Sequence, residues 1–218
     1  MEDTTIEDVL KTVEALHSQK DYKSAIHKLE TNQSKISPGV WHYNMGSVYG
    51  KLENWSLSRF HFLMAELNGY STKELMMNKK LVESKLSIEK YEKPISTTDY
   101  LIKGSLIASQ GILTMVSFLI IVFAIYRARK VSELKSLALT TLFAGFILVL
   151  NFWILSWTKV VVFSPQMVRE GPSVIFRETT EVPAGIMLVI SKEGEWSKII
   201  YPSRFEGWTQ GKNFRELK

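Results

Sequence analysis

Few side chains in this sequence have the type and spacing to do chemistry. Its four histidines are His17, His27, His42 and His61. No two of them stand three or four residues apart, the spacing that places two metal ligands on one face of a helix. Cysteine is absent, which excludes disulfides, thiolate metal sites and a cysteine nucleophile. No nucleophile stands beside a base. We therefore expect no catalytic residues, no metal and no cofactor.

Two apolar runs dominate the middle of the chain. They cover residues 104–126 and 136–158, and neither contains Asp, Glu, Lys or Arg. At a rise of about 1.5 Å per residue, each helix would cross a hydrocarbon core of about 30 Å. Because the link 127–135 is short, the pattern predicts an antiparallel two-helix transmembrane hairpin. The alternative, a pair of buried helices in a soluble protein, is disfavoured because such runs are rare there.

The link between the runs is the most basic segment of the chain. It carries Arg127, Arg129, Lys130 and Lys135 against Glu133. Basic residues beside a span favour the cytoplasmic side, so we expect a cytoplasmic link with both flanking regions on the outer side. The opening MEDTTIEDVLKTV has neither the basic start nor the apolar core of a signal peptide. Either a leader has been removed, or the N-terminal tail crosses without one.

Polar and small residues inside the two runs mark the expected contacts between the helices. An amide in hydrocarbon needs a hydrogen-bond partner, and small residues spaced four apart let helices approach closely. The predicted contact residues are Gly104, Ala108, Gln110, Thr141, Gly145 and Asn151.

Residues 1–93 show helical periodicity and an internal repeat. Apolar residues recur at intervals of three and four, which predicts helices at about 4–18, 21–34, 38–51, 55–68 and 71–90. The second unit follows the first at an offset of 33 residues, so that Tyr22 aligns with Trp55 and Leu29 with Phe62. The sequence therefore predicts an all-α region of about two repeats and a closing helix, followed by a linker over 94–103.

The second unit resembles the tetratricopeptide pattern, through Asn44, Met45, Gly46, Tyr49, Ser58, Phe62 and Ala65. Such stacks normally need three or more repeats, so we expect a second copy, a partner protein or the stretch 95–103 to complete this one. The resemblance to peptide-binding members implies that Asn44 and Lys51 lie on the concave face and contact a peptide. The aromatic residues of the two units are interpreted as core.

Residues 159–218 change from a helical to an alternating pattern, with turn residues between short apolar segments. This predicts antiparallel strands and a five-stranded mini-barrel. The segments VREGPSVIF, VPAGIMLVISKEGEWSKI and EGWTQGKNFREL resemble the bacterial SH3 family. That resemblance implies an SH3-like barrel that binds cell-wall peptides or other proteins, with Trp196 and Trp208 either as ligand platforms or as barrel core.

The order of the parts resembles the BatE type of protein from bacterial Bat (aerotolerance) operons. The predicted fold class is a multidomain membrane protein with an all-α tetratricopeptide-like region, a two-helix transmembrane hairpin and an all-β SH3-like barrel. The resemblance implies a two-pass inner-membrane location with both soluble domains in the periplasm. It also implies a non-enzymatic adaptor or scaffold that serves stress tolerance.

The resemblance further implies the partners. These are other membrane proteins, namely von Willebrand factor A domain proteins of the Bat type in a complex linked to a MoxR-type ATPase, together with membrane lipid and no nucleic acid. The alternative function is a sensor that binds peptidoglycan through the SH3-like domain.

Overall fold

The structure is a computed structural model that describes residues 5–107, 115–116, 118–123, 125–126, 142, 145–146, 149 and 157–217. The chain forms two compact units, one of Met1–Lys93 with Lys159–Lys218 and the other of Pro94–Thr158. Within the first unit, we call residues 5–93 the helical region and residues 159–217 the strand region. These two segments are far apart in sequence but belong to one compact unit.

Six α-helices form the helical region: α1 (Ile6–Ser18), α2 (Tyr22–Thr31), α3 (Pro38–Lys51), α4 (Trp55–Leu67), α5 (Lys73–Lys85) and α6 (Ile88–Glu92). A 3₁₀ turn over Gln33–Lys35 separates α2 from α3. The bounds follow the predicted ranges within a few residues, except that the range predicted as one helix at 71–90 is divided. Ser87 causes the division because its φ of 53° is incompatible with a continuing right-handed helix.

Side-chain caps fix where the helices begin. The side chains of Thr5, Asp21, Asn54 and Thr72 accept hydrogen bonds from backbone N–H groups in the first turns of α1, α2, α4 and α5. Such a cap satisfies a donor that has no partner within the helix. Pro38 begins α3, in the first turn, where its missing N–H costs nothing.

The closest helix packing joins α3 to α4. Gly46 allows it, because a Cβ added there would lie 2.7 Å from the ring of Phe62. The Ser58 hydroxyl donates a hydrogen bond of 2.7 Å to the Gly46 carbonyl across the same contact. The Trp41 indole donates to the carbonyl of Leu29 at 2.9 Å, which ties α3 to α2. The bond from Trp41 joins the two repeats, whereas the contacts of Gly46 lie within the second repeat.

The strand region forms one seven-stranded sheet. Its strands are β1 (Thr158–Val162), β2 (Gln166–Arg169), β3 (Glu178–Val182), β4 (Met187–Glu193), β5 (Trp196–Tyr201), β6 (Gly207–Thr209) and β7 (Phe214–Glu216). Their order across the sheet is β3-β2-β6-β5-β4-β1-β7. The predicted five strands were too few. β6 and β7 lie within one segment of the alternating pattern, and since each has only three residues, the pattern does not separate them.

The apolar core of the strand region includes one residue from the helical region. Ile88 of α6 is buried in the same cluster as Leu188, Ile190 and Ile199, and Tyr91 of α6 packs against this cluster. The core of α1 to α3 and the smaller cluster of α4 and α5 lie within the helical region. The short helix α6 therefore packs as part of the sheet domain.

The structure contradicts the predicted membrane hairpin. Among the described residues, none of the helices combines the length and apolar character that crossing a bilayer requires. A seventh helix, α7 (Thr97–Ile107), carries Asp99 and Lys103 and overlaps the start of the first apolar run.

The prediction relied on the length of charge-free runs, which is necessary for a spanning helix but does not establish one. Four predictions are therefore wrong. They are the membrane fold class, the two-pass inner-membrane location, the periplasmic placement of both soluble domains and the cytoplasmic placement of the link. The link 127–135 and most of the two runs lie outside the described residues.

Gly46→Ala should destabilise the protein by about 1–3 kcal/mol, because the new methyl group forces Phe62 out of its position in a close-packed contact. Urea unfolding measures the change. Gly46→Ala combined with Phe62→Leu should cost less than the sum of the two single changes, since the smaller side chain makes room. Strictly additive losses would show that the two residues are not in contact.

Candidate functional site

Two neighbouring grooves lie along one side of the helical region. The first has a volume of about 690 Å³ and is lined by residues of α1 and α3 together with Tyr70. The second has a volume of about 410 Å³ and is lined mainly by residues of α3, α4 and α5. His17, Tyr43 and Ser47 line both grooves, so the two form a continuous concave surface across α1, α3 and α5. We call this surface the helical groove.

The two residues predicted to contact a peptide line the helical groove. Asn44 lines its first part and Lys51 lines its second part. The Asn44 amide donates to the Val40 carbonyl at 2.9 Å, one turn earlier in α3, which leaves its oxygen as an acceptor toward the groove. Lys51 is exposed at the end of α3. The placement agrees with the expected concave face, whereas peptide contact by either residue stays a prediction.

The walls of the helical groove differ in charge. Glu7, Lys11 and Glu14 of α1 line the first part, whereas Lys51 is the charged residue that lines the second. Polar groups that can bind a peptide backbone lie between these ends, including the Ser47 hydroxyl and the Asn78 amide. Asn78 donates to the Tyr43 hydroxyl at 3.4 Å, and burial raises the pKa of Tyr43, so its hydroxyl stays protonated at neutral pH.

Trp196 and Trp208 lie on the outer face of the sheet, apart from the helical groove. In β5, the buried residues Ser197 and Ile199 alternate with Trp196 and Lys198, which therefore point to the opposite face. Trp208 of β6 pairs directly with Lys198. Both tryptophans are half-buried, and neither groove is lined by them. The four predicted partner-binding residues thus form two separate surfaces.

A buried ion pair within the helical region also bonds to the backbone of the strand region. Arg59 of α4 and Glu92 of α6 make two hydrogen bonds, from Nη1 to Oε1 at 2.6 Å and from Nη2 to Oε2 at 2.9 Å. Arg59 Nη1 also donates to the carbonyl of Gly185 at 2.5 Å, and Glu92 Oε1 accepts from the backbone N–H of Met187 at 2.7 Å. The Tyr201 hydroxyl donates to the carbonyl of Glu92 at 2.8 Å.

Burial makes this pair different from a surface salt bridge. The Arg59 side chain is 3% exposed and that of Glu92 is 9% exposed. Burial by itself would lower the pKa of Arg59, but the carboxylates of Glu92 and of Glu83, at 3.6 Å, outweigh it and raise the pKa. A charge in this position must keep its partner, because the protein interior cannot solvate it.

Beside the ion pair, the backbone of Gly185 comes close to the side chain of Leu86. Gly185 has a φ of +86°, a conformation that other L-residues rarely adopt, and a Cβ there would lie 2.6 Å from Leu86. Its carbonyl is the one that accepts from Arg59. Gly185, two residues before the start of β4, thus lies at the contact between the two regions.

Two of the four histidines come together between α3 and α4. His42 Nδ1 and His61 Nδ1 are 2.9 Å apart, so one ring donates and the other accepts. The ring of Tyr49 stacks on His61, and the guanidinium of Arg215 lies over the rings of Phe60 and Phe163 next to them. Burial lowers the pKa of His42 to about 4 and, helped by His42 and Arg215, lowers that of His61 to about 3. Both rings are therefore neutral at pH 7.

Sequence reasoning missed the ion pair and the histidine pair. His42 and His61 are 19 residues apart, so no spacing rule within one helix could reveal them. A signal for Arg59 existed, because the 33-residue offset aligns it with Ile26, an apolar position in the first unit. No corresponding signal marks Glu92. Over the residues that the structure describes, no three His, Asp or Glu side chains come together to hold a metal ion.

The predicted contacts between the two apolar runs cannot be placed. Ala108, Gln110, Thr141 and Asn151 lie outside the described residues. At Gly104 and Gly145, no described atom lies within 4 Å of the position that an added Cβ would occupy. These six residues therefore stay predictions.

Comparison of the chain with protein-family models, curated proteins and solved structures finds no match. The resemblances to tetratricopeptide repeats, to bacterial SH3 domains and to the BatE type rest on the motifs in the sequence.

Glu92→Ala should lower the free energy of unfolding by about 3–5 kcal/mol, because it leaves the Arg59 charge buried without a partner. Thermal or urea unfolding measures the loss. Lys192→Ala breaks an exposed ion pair with Glu216 and should cost less than about 1 kcal/mol. Equal losses in the two variants would contradict the role of burial.

Acid should destabilise the protein through the histidine pair. Since both pKa values are lowered in the folded state, the unfolded chain binds protons first, and stability is complete above about pH 6.5. It should fall by about 2–4 kcal/mol between pH 6.5 and pH 4, mainly through His61, because water partly screens the half-exposed His42.

His61→Asn keeps a partner for His42 and should remove most of this decline. Urea unfolding at several pH values measures it. His27→Asn, at an exposed position of α2, serves as the control and should leave the decline unchanged. The same pH dependence in both variants would rule out the buried pair as its source.

Proposed function

We propose that this chain is a non-enzymatic adaptor that binds a segment of a partner protein in the helical groove. The observation that carries the proposal is the continuous surface across α1, α3 and α5, in which Asn44, Ser47 and Lys51 are accessible between apolar and aromatic walls. A groove with mainly apolar walls and a few placed polar groups suits an extended or helical peptide.

The arrangement of the ion pair supports this proposal. Ser58 and Phe62 of α4 line the helical groove, whereas Arg59, the next residue after Ser58, turns to the strand region. One face of α4 is therefore covered by the same chain, and the other borders the groove. The strand region holds the helices in place from behind, so a partner segment meets a preformed surface and loses less free energy to ordering.

The resemblance to the BatE type supplies the proposed partner class. We assign the segment to a von Willebrand factor A domain protein that works with a MoxR-type ATPase, in a process linked to stress tolerance. The acidic residues of α1 and the basic Lys51 at the other part of the groove would orient such a segment.

A selection of random 12-residue peptides on the full-length protein tests the groove. Peptides that bind should lose about tenfold in affinity, or about 1.4 kcal/mol, on Asn44→Ala or on Lys51→Glu, as measured by fluorescence anisotropy. Trp208→Ala, on the separate outer face of the sheet, is the matched control and should leave the affinity unchanged. Peptides that bind equally well to both groove variants would overturn the proposal.

The second candidate function is binding of peptidoglycan by the outer face of the sheet. Trp208 favours it, because it lies between Lys198 and Arg169 in neighbouring strands and forms a half-exposed aromatic platform with flanking cations. Retention on purified sacculi that is lost on Trp208→Ala and kept on Asn44→Ala would support this function. If the wild-type protein is not retained on the sacculi, peptidoglycan binding is contradicted.

A further inference from the structure

The loop between β2 and β3 has apolar side chains at its tip that are exposed to solvent. Val174, Ile175 and Phe176 are 64%, 86% and 41% exposed. Three consecutive exposed apolar residues are unusual on a solvent-facing surface and mark an interaction site. We call these three residues the loop tip.

The loop tip is rigid rather than loose. Arg169 Nη1 donates to the carbonyls of Val174 and Phe176 at 2.9 Å and 2.8 Å, and Nη2 contacts Glu178 at 2.5 Å. The ring of Phe176 lies so close to Gly171 that a Cβ there would be 2.7 Å from it. Since its shape is fixed beforehand, the loop tip loses little conformational freedom when it binds.

A second exposed apolar surface lies on α5. Met76, Met77 and Leu81 are 54%, 62% and 55% exposed, and they share one side of the helix with Lys73 and Lys80 at spacings of three and four. We call these five residues the α5 face. Methionine side chains adapt readily to the shape of a partner.

The charges around the two surfaces are opposite. Residues 169–181, which contain the loop tip, carry Glu170, Glu178 and Glu181 against Arg169 and Arg177, and Glu178 is paired with Arg169. Residues 73–85 carry four lysines against two glutamates, and of these lysines Lys79 is paired with Glu66. An acidic apolar projection and a basic apolar helix face are therefore present on the same chain, both exposed.

We infer that copies of this chain associate head to tail, with the loop tip of one copy docked on the α5 face of the next. The apolar contact would stabilise any of the possible pairings, and the opposite charges favour this one over tip with tip or face with face. Because the two surfaces differ, the contact is heterologous and continues into a ring or a chain of copies. The added copy lies where a further repeat would follow α5, and it covers one edge of the helical groove at Leu81.

Single variants of each surface, and their mixture, test the inference on the full-length protein. Ile175→Asp disables the loop tip, and Met77→Glu disables the α5 face; both positions are exposed, so the fold tolerates the changes. Sedimentation velocity should show wild-type assemblies that grow with concentration and dissolve in 1 M salt, because screening weakens the charge contacts. Each single variant should be monomeric. Ile6→Glu, an exposed apolar position at the start of α1, should associate like the wild type.

The mixture of Ile175→Asp with Met77→Glu gives the decisive result. One intact loop tip and one intact α5 face remain, so the mixture should form a one-to-one dimer and nothing larger. A monomeric wild type, assembly by either single variant alone, or a mixture that stays monomeric would each overturn the inference. None of these results depends on a peptide ligand, so failure here leaves the proposed adaptor function standing.

Discussion

The ion pair of Arg59 and Glu92 is the constraint on which the compact unit depends. The guanidinium and the carboxylate are both buried, and each also bonds to the backbone of the strand region, at Gly185 and Met187. Neither charge can be left without the other. The position of α4, the placement of α6 against the sheet and the approach of Gly185 to Leu86 follow from keeping this pair intact.

The same constraint decides which surfaces are available for binding. Since the strand region covers the side of α4 that carries Arg59, the concave side across α1, α3 and α5 is left accessible, and so is the outer face of the sheet with Trp196 and Trp208. The buried pair by itself adds little net stability, because its desolvation offsets much of its Coulomb attraction. Well-packed apolar contacts, such as Ile88 in the sheet core, supply the stability.

Local patterns in the sequence predicted the helix bounds well, since caps and apolar spacing are properties of neighbouring residues. The resemblance to tetratricopeptide repeats implied the concave side for Asn44 and Lys51, and these two residues line the helical groove. Local patterns failed for contacts between distant segments. The contacts of Arg59 with Gly185 and of His42 with His61 produce no periodicity in the sequence. The three-residue strands β6 and β7 were not separated, because each is too short to show a period of its own. The membrane prediction failed because a run without charges does not establish a helix long enough to span.

Native-state hydrogen exchange in low concentrations of urea tests most directly whether the ion pair makes the two regions one cooperative unit. The account predicts that amides in α4 and in β4 exchange through a single opening, with the same free energy and the same urea slope, since neither region can open without exposing a buried charge. Exchange of β4 through a separate opening, with its own lower free energy and slope while α4 stays protected, would contradict it.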